Sequence, residues 1–149
     1  MKTTPFALAA LLAGLLFPAA HAEVINIDNA ELARLVAKGV PVIDIRTAGE
    51  WKGTGVLPGS KLLTFFDERG NADPAQWLAS AKSIATPDQP VILICRSGNR
   101  TRAATQFLSG QVGYKTVYNV THGINGWMAE KRAIVPPTQA MTCAPGVPC

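Results

Sequence analysis

The sequence predicts an α/β sandwich built on a mostly parallel sheet, and three observations lead there. Short apolar strands alternate with helical patterns along the chain, the order expected of repeated strand–helix–strand units. Residues 91–95 (VILIC) are continuously apolar rather than alternating, as a strand covered on both faces of a parallel sheet must be. A chain of 149 residues with 48% hydrophobic side chains is enough for one core and too short for two.

The first 22 residues stand apart. Lys2 gives a basic start, residues 6–17 (FALAALLAGLLF) are uncharged and apolar, Pro18 breaks the run, and Ala20-His21-Ala22 has the small-x-small pattern of a cleavage site. This predicts a signal peptide over 1–22, a mature chain from Glu23, and export, with the periplasm as destination. The alternative, a membrane anchor, requires a span of about 30 Å, whereas a helix of this length rises only about 18 Å. No cysteine follows the cut to carry a lipid, and no other long apolar run exists, so no membrane association is expected after cleavage.

The remaining elements follow in order. Residues 24–27 (VINI) read as a short strand, and Asp28 with Glu31 forms a capping box that opens a helix. Leu32, Leu35 and Val36 share its apolar face and Gly39 stops it. PVIDI at 41–45 is a second strand. Residues 46–60 carry four glycines and a Pro-Gly pair, which predicts mostly loop with a turn of helix near Glu50-Trp51. Residues 61–63 make a short strand, and Asp73-Pro74 starts a helix that runs to about Ile84. After a turn at 86–90 comes the VILIC strand. A helix then runs from about Asn99 to Ser109 with Ala103, Ala104, Phe107 and Leu108 as its apolar side. A strand at 116–120 and a short helix at 126–131 complete the pattern, and residues 136–149 (PPTQAMTCAPGVPC) form a Pro-rich tail without periodicity.

Charge excludes one class of function. Without Lys2 the mature chain has thirteen basic and ten acidic residues, a net charge of +3. These charges are dispersed apart from one cluster, so nucleic-acid binding is not expected. Trp51, Trp77 and Trp127 have no basic stripe beside them and are assigned to core or rim packing rather than base stacking.

Three cysteines remain to be placed. In an oxidising compartment Cys143 and Cys149, close together in the tail, are expected to pair, leaving Cys95 free. Such a bridge restricts the unfolded tail by about 2–3 kcal/mol and stabilises the domain only if the tail docks. Two other readings stay open: sulfur exchange between a tail cysteine and Cys95, and metal binding with Met141. The C-x5-C spacing is not a zinc pattern, so no metal or other cofactor is expected.

The charge cluster is Arg96, Arg100 and Arg102, just after Cys95. Ligands of open α/β sheets bind beyond the carboxyl ends of strands, where N–H groups of the next helix point outward. Cys95 lies at such an end, within reach of the amides of 96–101. A lone cysteine ending an apolar strand is commonly mere packing. Three cations at a helix N-terminus, however, oppose its dipole unless an anion sits among them. A thiolate, a persulfide or a bound oxyanion fits, and these surroundings lower a thiol's pKa. His122 is the only histidine of the mature chain and is remote in sequence, so amides and arginines rather than a cysteine–histidine dyad are the expected activators. Asp44, Arg46 and Glu50 are assigned to the framework, with Arg46 paired to Glu50.

At this point the sequence resembles a known family. C-R-S-G-N-R at 95–100 looks like the active-site loop of a rhodanese domain, a sulfurtransferase fold in which a cysteine carries a persulfide. V-I-D-I-R-T-A-G-E-W at 42–51, G-V-L-P-G-S at 55–60 and Y-N-V-T-H-G-I-N-G-W at 118–127 resemble its other signatures, in the family's order. The departures are Val56-Leu57 in place of His-Ile, His122 in place of the first of two glycines, and Ala133-Ile134 in place of Gly and Pro.

The resemblance implies a rhodanese-like three-layer sandwich over 23–135, with a mostly parallel central sheet flanked by helices on both faces. It implies Cys95 as the catalytic nucleophile and Arg96, Ser97, Gly98, Asn99, Arg100 and Thr101 as the substrate-binding loop. The implied partners are a small anionic sulfur donor such as thiosulfate and a thiol or cyanide acceptor, including a protein thiol. Cradles of the related phosphatases place five residues between cysteine and arginine; here four intervene, a tighter ring suited to one sulfur atom. Two other readings remain: a non-catalytic binding module of the same fold, and thiol redox exchange with the tail cysteines.

Overall fold

The computed structural model describes residues 23–149, so the predicted leader at 1–22 lies outside the described residues. Five strands and five helices alternate: β1 (Glu23–Ile27), α1 (Asn29–Ala37), β2 (Val42–Asp44), α2 (Ala48–Thr54), β3 (Lys61–Leu62), α3 (Pro74–Ile84), β4 (Val91–Ile94), α4 (Asn99–Phe107), β5 (Thr116–Val120) and α5 (Gly123–Ala129). The sheet order is β1-β5-β4-β2-β3, and every strand pairing is parallel.

β4 occupies the middle of this sheet, which explains its unbroken apolar run. Val91 and Leu93 pack on one face with Trp77 and Ala81 of α3 and Ala104 of α4. Ile92 and Ile94 pack on the other with Leu32 and Leu35 of α1 and Ile124 and Trp127 of α5. The chain is therefore the three-layer sandwich expected, with Cys95 leaving the C-terminal end of the central strand.

Several local expectations change. Asp28 caps α1 by accepting from the Glu31 N–H at 2.8 Å, but Glu31 pairs with Arg34 one turn along rather than completing a capping box. The complete box lies at Thr47 and Glu50, each side chain bonded to the other's backbone N–H, and it starts a seven-residue helix in a stretch whose glycines predicted loop. Trp51, 5% exposed, anchors that helix against Val56 and Leu62. In α4 the buried residues are Thr101, Ala104 and Thr105, while Ala103 faces solvent. The helix continues into a wider π-type turn over Leu108–Val112. α5 begins at Gly123, three residues earlier than expected.

The expected Arg46–Glu50 pair is not formed. Arg46 is fully buried and grips Asp44 instead, with Nη2 2.6 Å from Oδ2 and Nε 2.9 Å from Oδ1. Its remaining donors hold the Thr54 hydroxyl and the Gly55 carbonyl, which fastens the end of α2 to β2. Glu50 is drawn away because the helix it caps places it beside α4.

The tail docks. Residues 139–141 form a single 3₁₀ turn, Thr142 bridges Leu62 in parallel, and the Cys143 N–H donates to the Leu62 carbonyl at 2.8 Å. The outer edge of β3 is thereby covered. Cys143 and Cys149 are joined by a disulfide, and the loop it closes lies on α3 through Gly146 to Gln76, Val147 to Ser80 and Cys149 to Ser83.

Candidate active site

The chain leaves β4 at Cys95, turns through Arg96 and Ser97, and enters α4 after Gly98. Gly98 is the N-cap, with φ 88° and ψ −9°. That left-handed conformation favours glycine, and a side chain there would also strike the Thr121 carbonyl. The bend turns the Gly98 N–H back to the Cys95 sulfur at 3.2 Å. Thr101, one turn into α4, places its hydroxyl 3.6 Å from the same sulfur while donating to the Gly98 carbonyl at 2.9 Å.

The loop's carbonyls are held on the opposite side. The Ile124 N–H donates to the Cys95 carbonyl at 2.8 Å and the Asn125 N–H to the Arg96 carbonyl at 3.1 Å, both from the start of α5. Gly123, with φ 56°, allows this approach, since a Cβ there would run into the Cys95 and Arg96 carbonyls. With carbonyls anchored below, the amides face the thiol.

Cys95 is free and 1% exposed. Its burial pushes the thiol up, but amide hydrogen bonds from Thr101, Ser97 and Gly98 and the Thr101 hydroxyl outweigh that and hold the thiol below its ordinary value. The sulfur is enclosed by donors, not by hydrocarbon alone, and His122 is not among its hydrogen-bond partners. His122 instead stands exposed at the N-cap position of α5, and its side chain makes no bond to the helix end.

The arginines separate. Arg100 is clamped by Glu50, Nη2 to Oε1 at 2.6 Å and Nη1 to Oε2 at 2.7 Å, a planar bidentate pair. The Arg100 guanidinium, with the Thr47 amide, holds the Glu50 carboxyl down at about 2 against the opposing effect of burial. Arg96 is exposed and has no ion-pair partner among the described residues. Arg102 faces a different cavity, of about 520 Å³, with Asn26 and Asn119 on the other side of α4. Of the three cations the sequence groups around the thiol, two border the cleft above the loop. This cleft, about 410 Å³, is also lined by Thr47, Glu50, Asp67 and Glu68. The side chains of Ser97 and Asn99 are exposed at the loop surface.

Comparison with known proteins agrees with this fold. A family model described as the rhodanese-like domain matches residues 28–130. The chain belongs to the rhodanese-like family. It is 31% identical over 114 residues to a sulfurtransferase of Allochromatium vinosum, covering 75% of this chain and 95% of that protein. It is 30% identical over 105 residues to the thiosulfate sulfurtransferase GlpE of Pseudoalteromonas translucida, covering 70% and 89% respectively. Among solved structures, a rhodanese-related protein from Thermoplasma volcanium superposes with a TM-score of 0.59 at 27% identity, covering 76% of this chain and 99% of that one. At family level the likeness is to sulfurtransferases.

The structure brings Cys95, the Gly98 bend and Thr101 together, as their contiguity in sequence predicts. The tie between Glu50 and Arg100 is not among the sequence expectations, although the Thr47-x-x-Glu50 pattern was the available signal of a helix start. Nor is Glu68 at the cleft, for which no sequence signal exists. The tail disulfide lies beyond β3, whereas Cys95 continues β4, with β2 and β3 between them. Three strand spacings make about 14 Å, too far for direct exchange between Cys95 and the tail cysteines in this arrangement. Among the described residues no group of three His, Cys, Asp or Glu side chains is placed to hold a metal ion.

Proposed function

We propose that this rhodanese-like protein carries sulfane sulfur as a persulfide on Cys95. The observation that carries the reading is the Gly98 N–H, 3.2 Å from a sulfur whose thiol is held below its ordinary value. In the first half-reaction the Cys95 thiolate attacks the outer sulfur of a donor such as thiosulfate. A new S–S bond forms, the donor's S–S bond breaks, and its electron pair leaves with sulfite. The loop amides that hold the thiolate then hold the terminal sulfur of the persulfide. In the second half-reaction a thiolate or cyanide takes that sulfur and restores the Cys95 thiolate.

Glu50 holds the Nη1–Nη2 edge of Arg100 and offsets its charge, which disfavours this arginine as a fork for phosphate. Together with the four-residue spacing, that favours sulfur over phosphoryl transfer. The substrate loop is proposed as Arg96, Ser97, Gly98, Asn99, Arg100 and Thr101, with the backbone rather than the Ser97 and Asn99 side chains as the contact. Export to the periplasm, from the composition of residues 1–22, is part of the same proposal.

Incubating the protein with thiosulfate tests the reading. Mass spectrometry is expected to show one added sulfur on Cys95 with stoichiometric sulfite, and Cys95→Ser to show neither while keeping its fold. A folded wild-type protein that acquires no sulfur from thiosulfate or from any small persulfide would remove it and leave the binding-module alternative.

A further inference from the structure

The charges around the cleft do not suit a small dianion. Three carboxylates, Glu50, Asp67 and Glu68, face two guanidiniums, Arg96 and Arg100. Arg100 and Glu50 neutralise each other. The Asp67 carboxylate is engaged by the amides of Arg69 and Asn71, and its charge remains. Glu68 has no cationic partner among the described residues, and its Oε1 leans over Gly49, 3.7 Å from where a Cβ would stand. The amide end of α4 adds about half a positive charge, but it is already turned to the Cys95 sulfur.

From this balance we propose that the sulfur donor of this site is a persulfide whose carrier thiol lies next to a cationic group, and that Glu68 selects for it. The inference rests on the sulfurtransferase reading and names the donor class within it. The chemistry balances without a further reactant. The Cys95 thiolate attacks the outer sulfur of R–S–SH, the new S–S bond forms as the old one breaks, the proton travels with the transferred sulfur, and the electron pair leaves on R–S⁻. A cation on R lies at the rim beside Glu68 and Asp67 while its sulfur reaches the loop. Thiosulfate brings two negative charges to the same rim and has only Arg96 unpaired to receive them.

Three persulfides with the same reacting atoms differ in charge, those of cysteamine, 2-mercaptoethanol and 3-mercaptopropionate, bearing an ammonium, a hydroxyl and a carboxylate; their thiols also differ as leaving groups, so the change of their rate ratio in a Glu68 variant is the deciding readout. The rate of sulfur gain on Cys95, followed by mass spectrometry at low ionic strength, is expected to fall in that order. In Glu68→Gln the ammonium-to-carboxylate rate ratio is expected to shrink by about threefold, the size of one exposed charge interaction. High salt should shrink it in the wild type as well. Fastest loading from the carboxylate persulfide, or a ratio unchanged by Glu68→Gln, overturns the proposal while leaving the sulfurtransferase reading intact. Loading from none of the three, nor from thiosulfate, removes that reading and the donor assignment with it.

Discussion

Glu50 and Arg100, 50 residues apart in sequence, meet in a two-bonded ion pair that joins the start of α2 to the first turn of α4. Both side chains keep roughly a quarter of their surface exposed, 26% for Glu50 and 29% for Arg100, so the pair contributes about 0.5–1 kcal/mol rather than the larger value of a buried one.

Its pH dependence has a definite sign. Glu50 titrates at about 2 in the folded chain, below the ordinary glutamate value near 4.3, so its contribution is complete above about pH 4.3 and disappears as pH falls through 2. Unfolding free energy measured across this range is expected to decline less steeply in Glu50→Gln than in the wild type. Identical acid limbs would mean that the pair contributes nothing to folding.

The Thr101 hydroxyl has one proton and two acceptors, the Gly98 carbonyl at 2.9 Å and the Cys95 sulfur at 3.6 Å. Thr101→Val keeps the shape and removes that donor. The rate of sulfur loading against pH should show a midpoint below the ordinary thiol value of about 8.5 in the wild type and a higher one in Thr101→Val. At neutral pH the variant is expected to load about tenfold more slowly, with an unchanged circular dichroism spectrum. An unshifted midpoint would assign the lowered thiol to the backbone amides alone.

The sheet and the Cys95 loop were legible because they depend on contiguous patterns: an apolar strand, a glycine bend and a helix start. What escaped depends on distant or backbone contacts. α2 was obscured by Gly49 and Gly53, and its helix forms because a capping box and a buried Trp51 outweigh poor propensity. The buried face of α4 includes Thr101 and Thr105, whose hydroxyls return to the Gly98 and Arg102 carbonyls and so enter the interior satisfied, while Ala103 is left outside. The tail docks through its own backbone groups, bonded to the Leu62 and Gln76 carbonyls and to the Ser80 and Ser83 hydroxyls, which leave no periodicity to read.

Because the tail docks, its disulfide stabilises the domain. In Cys143→Ser/Cys149→Ser the loop is opened in the unfolded chain, and stability is expected to fall by about 2 kcal/mol, read as a lowered urea midpoint. Sulfur loading on Cys95 should continue at the wild-type rate, since two strands separate the sites. Loss of loading in a folded double variant would instead give the tail cysteines a part in the transfer.

Asp44 and Arg46 form the most enclosed ion pair in the described chain, with side chains 0% and 1% exposed. Asp44 holds two guanidinium nitrogens of Arg46 and also accepts the Arg46 N–H at 3.1 Å. Asp44→Asn leaves a buried guanidinium without its counter-charge, which costs about 3–5 kcal/mol. Arg46→Met leaves the reverse defect, an isolated carboxylate, and also strips the Gly55 carbonyl of its donor. Asp44→Leu with Arg46→Met removes both charges at once. Its loss of stability in urea is expected to be smaller than the sum of the two single replacements, Asp44→Leu and Arg46→Met, because no unpaired charge remains in the core. Additive losses would show that packing rather than charge pairing dominates this corner, and the end of α2 would then depend on Trp51 and the Thr47 cap alone.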